Sequence, residues 1–166
     1  MKKKILGAVL ALTGGTLVPA ADAPIDVSRV IDKAAAESIL GEKVKDPTPR
    51  NGQGKDGYYS KCDYYSDSRA HSLVLRVYLP SPNTIEPQKQ LELVEASNGP
   101  MKPVDGVGDK AEVFTGGGGS GVTSRLLMLY VAKGNAFVTV GLGGFDDESS
   151  ALDKAKTVAQ KLLERL

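Results

Sequence analysis

Residues 71–79 (HSLVLRVYL) alternate strictly: Leu73, Leu75, Val77 and Leu79 point one way, and Val74, Arg76 and Tyr78 the other. A repeat of two is the strand period. Four apolar side chains on one side require that side to be buried, which fixes a sheet at the centre of the fold. Two more apolar runs, 125–132 and 136–142, are separated by Lys133-Gly134-Asn135. A Gly-Asn pair between such runs signals a tight hairpin, because both residues tolerate positive φ, so neighbouring strands run antiparallel. A tyrosine-rich strand over 58–65 joins 71–79 through a turn at 66–69, and 111–115 supplies a fifth strand.

Helices account for the rest of the apolar pattern. Asp32 reads as the N-cap of a first helix with Ala34, Ala35, Ala36, Ile39 and Leu40 on its apolar side, closed by Gly41; Val27, Val30 and Ile31 form a helical turn leading in. Thr84 reads as the cap of a second helix over 85–97, with Pro87 in its first turn and Asn98-Gly99-Pro100 as its stop. Asp146 and Asp147 open a third, in which Leu152, Ala155, Ala159, Leu162, Leu163 and Leu166 follow the helical period. Residues 45–57 (KDPTPRNGQGKDG) read as a mobile loop, and 102–110 as a turn-rich connection. The order α-β-β-α-β-β-β-α predicts an α+β domain, an antiparallel sheet of about five strands packed with three α-helices.

The first residues have a different logic. Lys2, Lys3 and Lys4 precede an uncharged stretch over 5–18, and small residues follow at Ala20, Ala21 and Ala23. A basic start, an apolar run and small residues at a cut site mark a secretory signal peptide. Fourteen residues fall short of the roughly 20 needed to span a bilayer. Cleavage after Ala23 would place Pro24 just beyond the cut, where its fixed φ and missing N–H are unfavourable. The expected segment is therefore 1–20, with a single domain over 21–166, periplasmic or extracellular. No cysteine stands near the junction, so no lipid or other stable membrane anchor is expected. Losing three lysines leaves 18 basic residues against 20 acidic ones, a net charge of −2. That excludes a generally basic surface of the kind that binds nucleic acid.

Four stretches carry a resemblance. They are Ile39-Leu40-Gly41, Cys62-Asp63-Tyr64, the run from Val104 through Asp105, Gly106, Val107, Gly108, Asp109 and Lys110 to Ala111, and Lys133-Gly134-Asn135. In this order they resemble the bacterial exported proteins and lipoproteins, common in actinobacteria, that carry a domain of unknown function. Some of these are similar in fold to the PsbP/Mog1 sandwich of helices around an antiparallel sheet. The resemblance implies a PsbP/Mog1-like fold and an exported location, and implies no activity. Members often carry a second cysteine near the first helix; this chain has Val27, Ser28 and Arg29 there.

Candidate chemistry is sparse. Cys62, the one cysteine, cannot form an internal disulfide; a buried small hydrophobe is the expected state, with pairing between chains or a reactive thiol as alternatives. If the hairpin turns at Asp67-Ser68, Cys62 faces Leu73 and lies diagonal to His71, the one histidine, which gives a thiol enzyme or small hydrolase as the alternative function. The glycine loop 116–121 (GGGGSG) lacks the lysine and helix start of a phosphate cradle. Asp105, Asp109, Asp146, Asp147 and Glu148 lack the alternating spacing of a calcium loop, and zinc has too few ligands. No cofactor and no catalytic or metal residues are expected. The most suggestive surface is tyrosine with arginine, the pair that binding surfaces enrich. Tyr59 and Tyr65 face away from Tyr58 and Tyr64, beside Arg76 and Tyr78, and with Gly117 and Gly118 of the glycine loop they form the candidate site for a protein or small ligand in the cell envelope. The expected role is a non-enzymatic binding or interaction module. When the full chain is expressed in a bacterial host, N-terminal sequencing of the exported product is expected to begin at Ala21; a product beginning at Pro24 would assign the other cut.

Overall fold

The computed structural model describes residues 24–117 and 125–166, so the signal segment expected over 1–20, the cut before Ala21, and Gly118 lie outside the described residues. Four helices and seven strands follow in order: α1 Val27–Val30, α2 Lys33–Leu40, β1 Arg50–Gln53, β2 Gly57–Tyr65, β3 Ser72–Pro80, α3 Pro87–Asn98, β4 Lys102–Pro103, β5 Lys110–Gly117, β6 Arg125–Lys133, β7 Ala136–Gly143 and α4 Glu148–Leu163. The strands form one sheet in the order β1-β2-β3-β7-β6-β5-β4, with every neighbouring pair antiparallel. The class is α+β, as the sequence predicts, with two more strands and one more helix than expected among the described residues. The added strands are the two sheet edges. β1 lies inside the stretch read as a mobile loop, and its backbone pairs from Arg50 opposite Lys61 to Gln53 opposite Tyr58. β4 is two residues long and ends on Pro103, which an edge strand tolerates because it lacks only an outward donor.

One face of the sheet carries the core. Cys62 and Tyr64 of β2, Leu73, Leu75 and Val77 of β3, Val138, Val140 and Leu142 of β7, and Leu127, Leu129 and Val131 of β6 are all buried, beneath α1, α2 and α4. Asp147 caps α4 by accepting from the Ser150 N–H at 2.7 Å. Ala151, Ala155, Val158, Ala159, Leu162 and Leu163 of α4 then face the sheet. Leu166, expected on that face, lies beyond the helix and is exposed. The N-terminal segment is held to the same face by β2. The Tyr58 hydroxyl donates to the Ile25 carbonyl at 2.9 Å, the Ser60 hydroxyl accepts from the Val27 N–H at 2.9 Å, and the Tyr64 hydroxyl donates to the Ile31 carbonyl.

Two turns show why the glycines stand where they do. Gly134 adopts φ 53° in the two-residue β6–β7 turn, with Lys133 paired to Ala136. Gly108 adopts φ 63°, and a Cβ there would meet Val131 Cγ1 at 2.3 Å and the Ala132 carbonyl oxygen at 2.8 Å. Glycine at 108 thus lets the β4–β5 connection lie against β6. Asp109 fastens it there, its carboxylate accepting from the Gly134 N–H at 2.7 Å.

The other face of the sheet is crossed by α3. The chain leaves β3 near the middle and must reach β4 at the far edge, four strand spacings away, or about 19 Å at ~4.8 Å each. Twelve helical residues span about 18 Å, so α3 makes the crossing over β7, β6 and β5. It begins at Pro87 with Glu86 as a cap without a side-chain bond. Thr84, expected as the cap, instead donates to the Ser81 carbonyl at 2.6 Å in the preceding turn. The residue before a proline is disfavoured in helical backbone, so the helix cannot start earlier. Leu162 is fully buried between α4 and the sheet, and Leu162→Ala is expected to cost about 2–5 kcal/mol; an unchanged urea midpoint would show that α4 does not support the core.

Candidate functional site

α3 covers only part of its face. Between it and the sheet runs an open groove of about 890 Å³. Its floor is Arg76 and Tyr78 from β3, Phe137 and Thr139 from β7, and Met128 and Tyr130 from β6. Its wall is the Gln90, Leu93, Val94 and Ser97 stripe of α3, at helical spacing, with Ile85 at the mouth. The local causes are clear. β3 alternates, so Arg76 and Tyr78 turn away from Leu75 and Val77. α3 sends Leu91 down into the sheet, where it is fully buried, and leaves the adjoining stripe along the groove.

The floor is stiffened by its own contacts. Tyr130 and Phe137 stack with centroids 6.2 Å apart and planes at 21°. The Tyr130 hydroxyl accepts from the Asn98 amide at 3.2 Å, and the Tyr78 hydroxyl donates to the Asp56 carbonyl at 2.6 Å. Two polar groups have no protein partner among the described residues. Arg76 is exposed and forms no ion pair among the described residues, and Gln90 Oε1 is shielded from solvent without a hydrogen-bond partner. An apolar trough with one free guanidinium and one free amide oxygen can bind and orient a partly apolar molecule.

The residues singled out from sequence are dispersed. Arg76 and Tyr78 line the groove. Tyr59 stands opposite Tyr78 on the neighbouring strand, is exposed, and has the Lys61 ammonium 5.8 Å from its ring centre. Tyr65 lies at the far end of β2, six residues from Tyr59 (about 20 Å along a strand), and lines a separate depression with Arg50 and Lys61. Gly117 ends β5 opposite Arg125, away from the groove. The groove's share of α3, β6 and β7 was not read from sequence; the exposed apolar Ile85 and Leu93 were its one local signal.

The Cys62/His71 pairing is corrected. The strands pair two residues out of the expected register: Cys62 faces Leu75 and Tyr64 faces Leu73. The turn consumes residues 67–70 and is closed by Ser66, whose N–H donates to the His71 carbonyl at 3.0 Å and whose hydroxyl accepts from the His71 N–H at 3.0 Å. His71, just before β3, is therefore four residues from Leu75, about 13 Å along an extended chain. Cys62 is 1% exposed, and burial pushes its thiol up, away from the nucleophilic thiolate. His71 instead meets Glu42 through Nδ1. Three of the five acidic residues serve structure: Asp147 caps α4, Asp109 holds the hairpin turn, and Glu148 meets Lys102 at 3.2 Å. Among the described residues no three His, Cys, Asp or Glu groups stand close enough to hold a metal ion, and no helix is long and apolar enough to cross a membrane.

Comparison with known proteins adds the fold. No family model and no curated protein matches the chain. Among solved structures, it is similar to the extracellular domain of PknH from Mycobacterium tuberculosis, with a TM-score of 0.51 and 11% identity over 82% of this chain and 94% of that one. The likeness is one of fold, and the matched structure is an extracellular domain.

Away from the groove, Glu42 carries a pH signature of its own. The His71 hydrogen bond first, and the Ser68 hydroxyl next, hold its carboxyl below the ordinary value of 4.5. A carboxyl lowered by folding adds stability above its unfolded pKa and loses it as pH falls through the folded value. Stability measured by urea unfolding at about pH 6 and about pH 3 is therefore expected to differ less in Glu42→Gln than in the parent chain; an equal difference would show that this carboxyl contributes nothing.

Proposed function

We propose that the chain is an exported binding module that takes a small, partly apolar ligand of the cell envelope in the groove between α3 and the sheet. The observation that carries this reading is the incomplete cover of the outer face. Six side chains from three strands form a floor that α3 walls along its length, with Asp56 and residues 83–85 at its margin. A trough lined by aromatic and aliphatic groups with a few placed polar ones is the usual form of a ligand site. Export rests on the signal-like residues 1–20, and the exported proteins that the sequence resembles, together with their PsbP/Mog1-like fold, belong to the same reading. The extracellular neighbour supports that location. A catalytic role for Cys62 or His71 has no geometry behind it. Arg76 and Tyr78 contact the ligand directly, Tyr59 extends the surface beside Tyr78, and Tyr65, Gly117 and Gly118 lie outside the groove or the described residues.

The test uses a neutral fluorescent probe, Nile red, with the folded domain. Saturable binding at one site is expected. Val94→Trp, which fills the groove from the half-buried wall of α3, is expected to weaken that binding about tenfold or more, the scale of losing one apolar contact set, with little change in melting temperature. Unaltered binding by this variant would remove the groove as the site.

A further inference from the structure

Strand register places three cations in one line on the outer face. Arg50 of β1 is opposite Lys61 of β2, and Lys61 is opposite Arg76 of β3. Residues directly opposite in an antiparallel pair share a face, so the three side chains stand on neighbouring strands at about 4.8 Å spacing. None of the three forms an ion pair among the described residues. Like charges directly opposite one another destabilise a sheet, and here two such contacts occur in succession. The carboxylates nearby form no ion pair with the three among the described residues: Asp46 is engaged by Lys33 at 2.6 Å, Asp63, one row along, has one oxygen buried without a partner, and Asp56, which lines the groove with Arg76, is not bonded to it. The line also joins two concavities. Arg50 and Lys61 line the depression of about 300 Å³ beside Tyr65, and Arg76 lines the groove.

The geometry points to a site for the phosphate monoester head of a single amphiphilic molecule, with Arg50, Lys61 and Arg76 holding the head and the groove holding its apolar part. This rests on the groove being a binding site. A carboxylate carries one charge and is satisfied by one bidentate arginine. A phosphate monoester carries about −1.5 to −2 at neutral pH and offers three strong acceptor oxygens, which suits a row of two guanidiniums around an ammonium. Beyond Arg76 the same row continues to Thr139 and then Tyr130 on the groove floor. A head bound on β1–β3 is thereby followed directly by a trough for a chain.

The experiment compares dihexanoyl phosphatidic acid with dihexanoylglycerol, both below their aggregation limits, by titration at low salt. The phosphate-bearing lipid is expected to bind about tenfold or more tightly, the scale of one charge-assisted hydrogen bond, and the advantage is expected to shrink as salt is raised. Arg50→Gln with Lys61→Gln, both outside the groove, should abolish the advantage while Nile red binding stays as in the parent chain. Equal affinities, or an advantage that survives the double variant, overturn the proposal and leave the groove reading standing. Loss of Nile red and dihexanoylglycerol binding in the parent chain would overturn the groove reading as well. Pyrophosphate binding as tightly as the lipid would assign the row to free phosphate, and capture only by vesicles containing phosphatidic acid would assign it to a membrane surface; either result overturns the proposal.

Discussion

Strand β7 sets the terms of this fold. It is the fourth of seven strands, and from Ala136 to Leu142 every residue is buried, on both faces. A strand closed in that way needs cover above and below. On one side α1, α2 and α4 supply it fully. On the other the cover is α3 alone, and α3 is committed to carrying the chain from β3 to the far edge. One helix about 10 Å wide cannot close a face made by seven strands, so the uncovered remainder is a product of the topology. The groove is that remainder, floored by the outward side chains of β3, β7 and β6.

The sequence reveals the parts of this structure whose determinants are local. The alternation over 71–79, the Gly134-Asn135 turn, the Asp32 and Asp147 caps and the Asn98-Gly99-Pro100 stop each depend on a few adjacent residues, and each appears in the structure. The failures share a cause too. β1 is made of Arg50, Asn51, Gly52 and Gln53, none a strand former, and becomes a strand only because β2 offers an edge to pair with; tertiary context overrides propensity. β4 is two residues ending on proline, beneath any periodicity. The register slip at Cys62 arose from a turn two residues longer than assumed, fixed by the Ser66 hydroxyl, a detail of side-chain geometry that no pattern displays.

The candidate binding surface is half legible for the same reason. Arg76 and Tyr78 stand out because tyrosine with arginine is the pair that binding surfaces enrich. Their companions are drawn from Asp56 and from residues 83–98 and 128–139, and the pairing of β3 with β7, across more than fifty residues of chain, builds the floor they share. The line of Arg50, Lys61 and Arg76 likewise exists only once register is known, since nothing local in the sequence aligns the three. Tyr58, Ser60 and Tyr64 tie residues 25–31 to β2 across a separation of thirty-three positions, which is equally invisible to local reading.

That β3–β7 pairing divides the sheet into two meanders. β1, β2 and β3 form one by hairpins, β4 to β7 form the other, and β3 against β7 is the seam between them. Arg76 and Tyr78 lie on one side of it, Phe137 and Thr139 on the other. Anything seated on this floor touches both meanders and works as a clasp across the one junction that local hairpins do not secure. Occupancy then adds its free energy to the stability of that long-range pairing, so a bound molecule would resist the parting of the two halves.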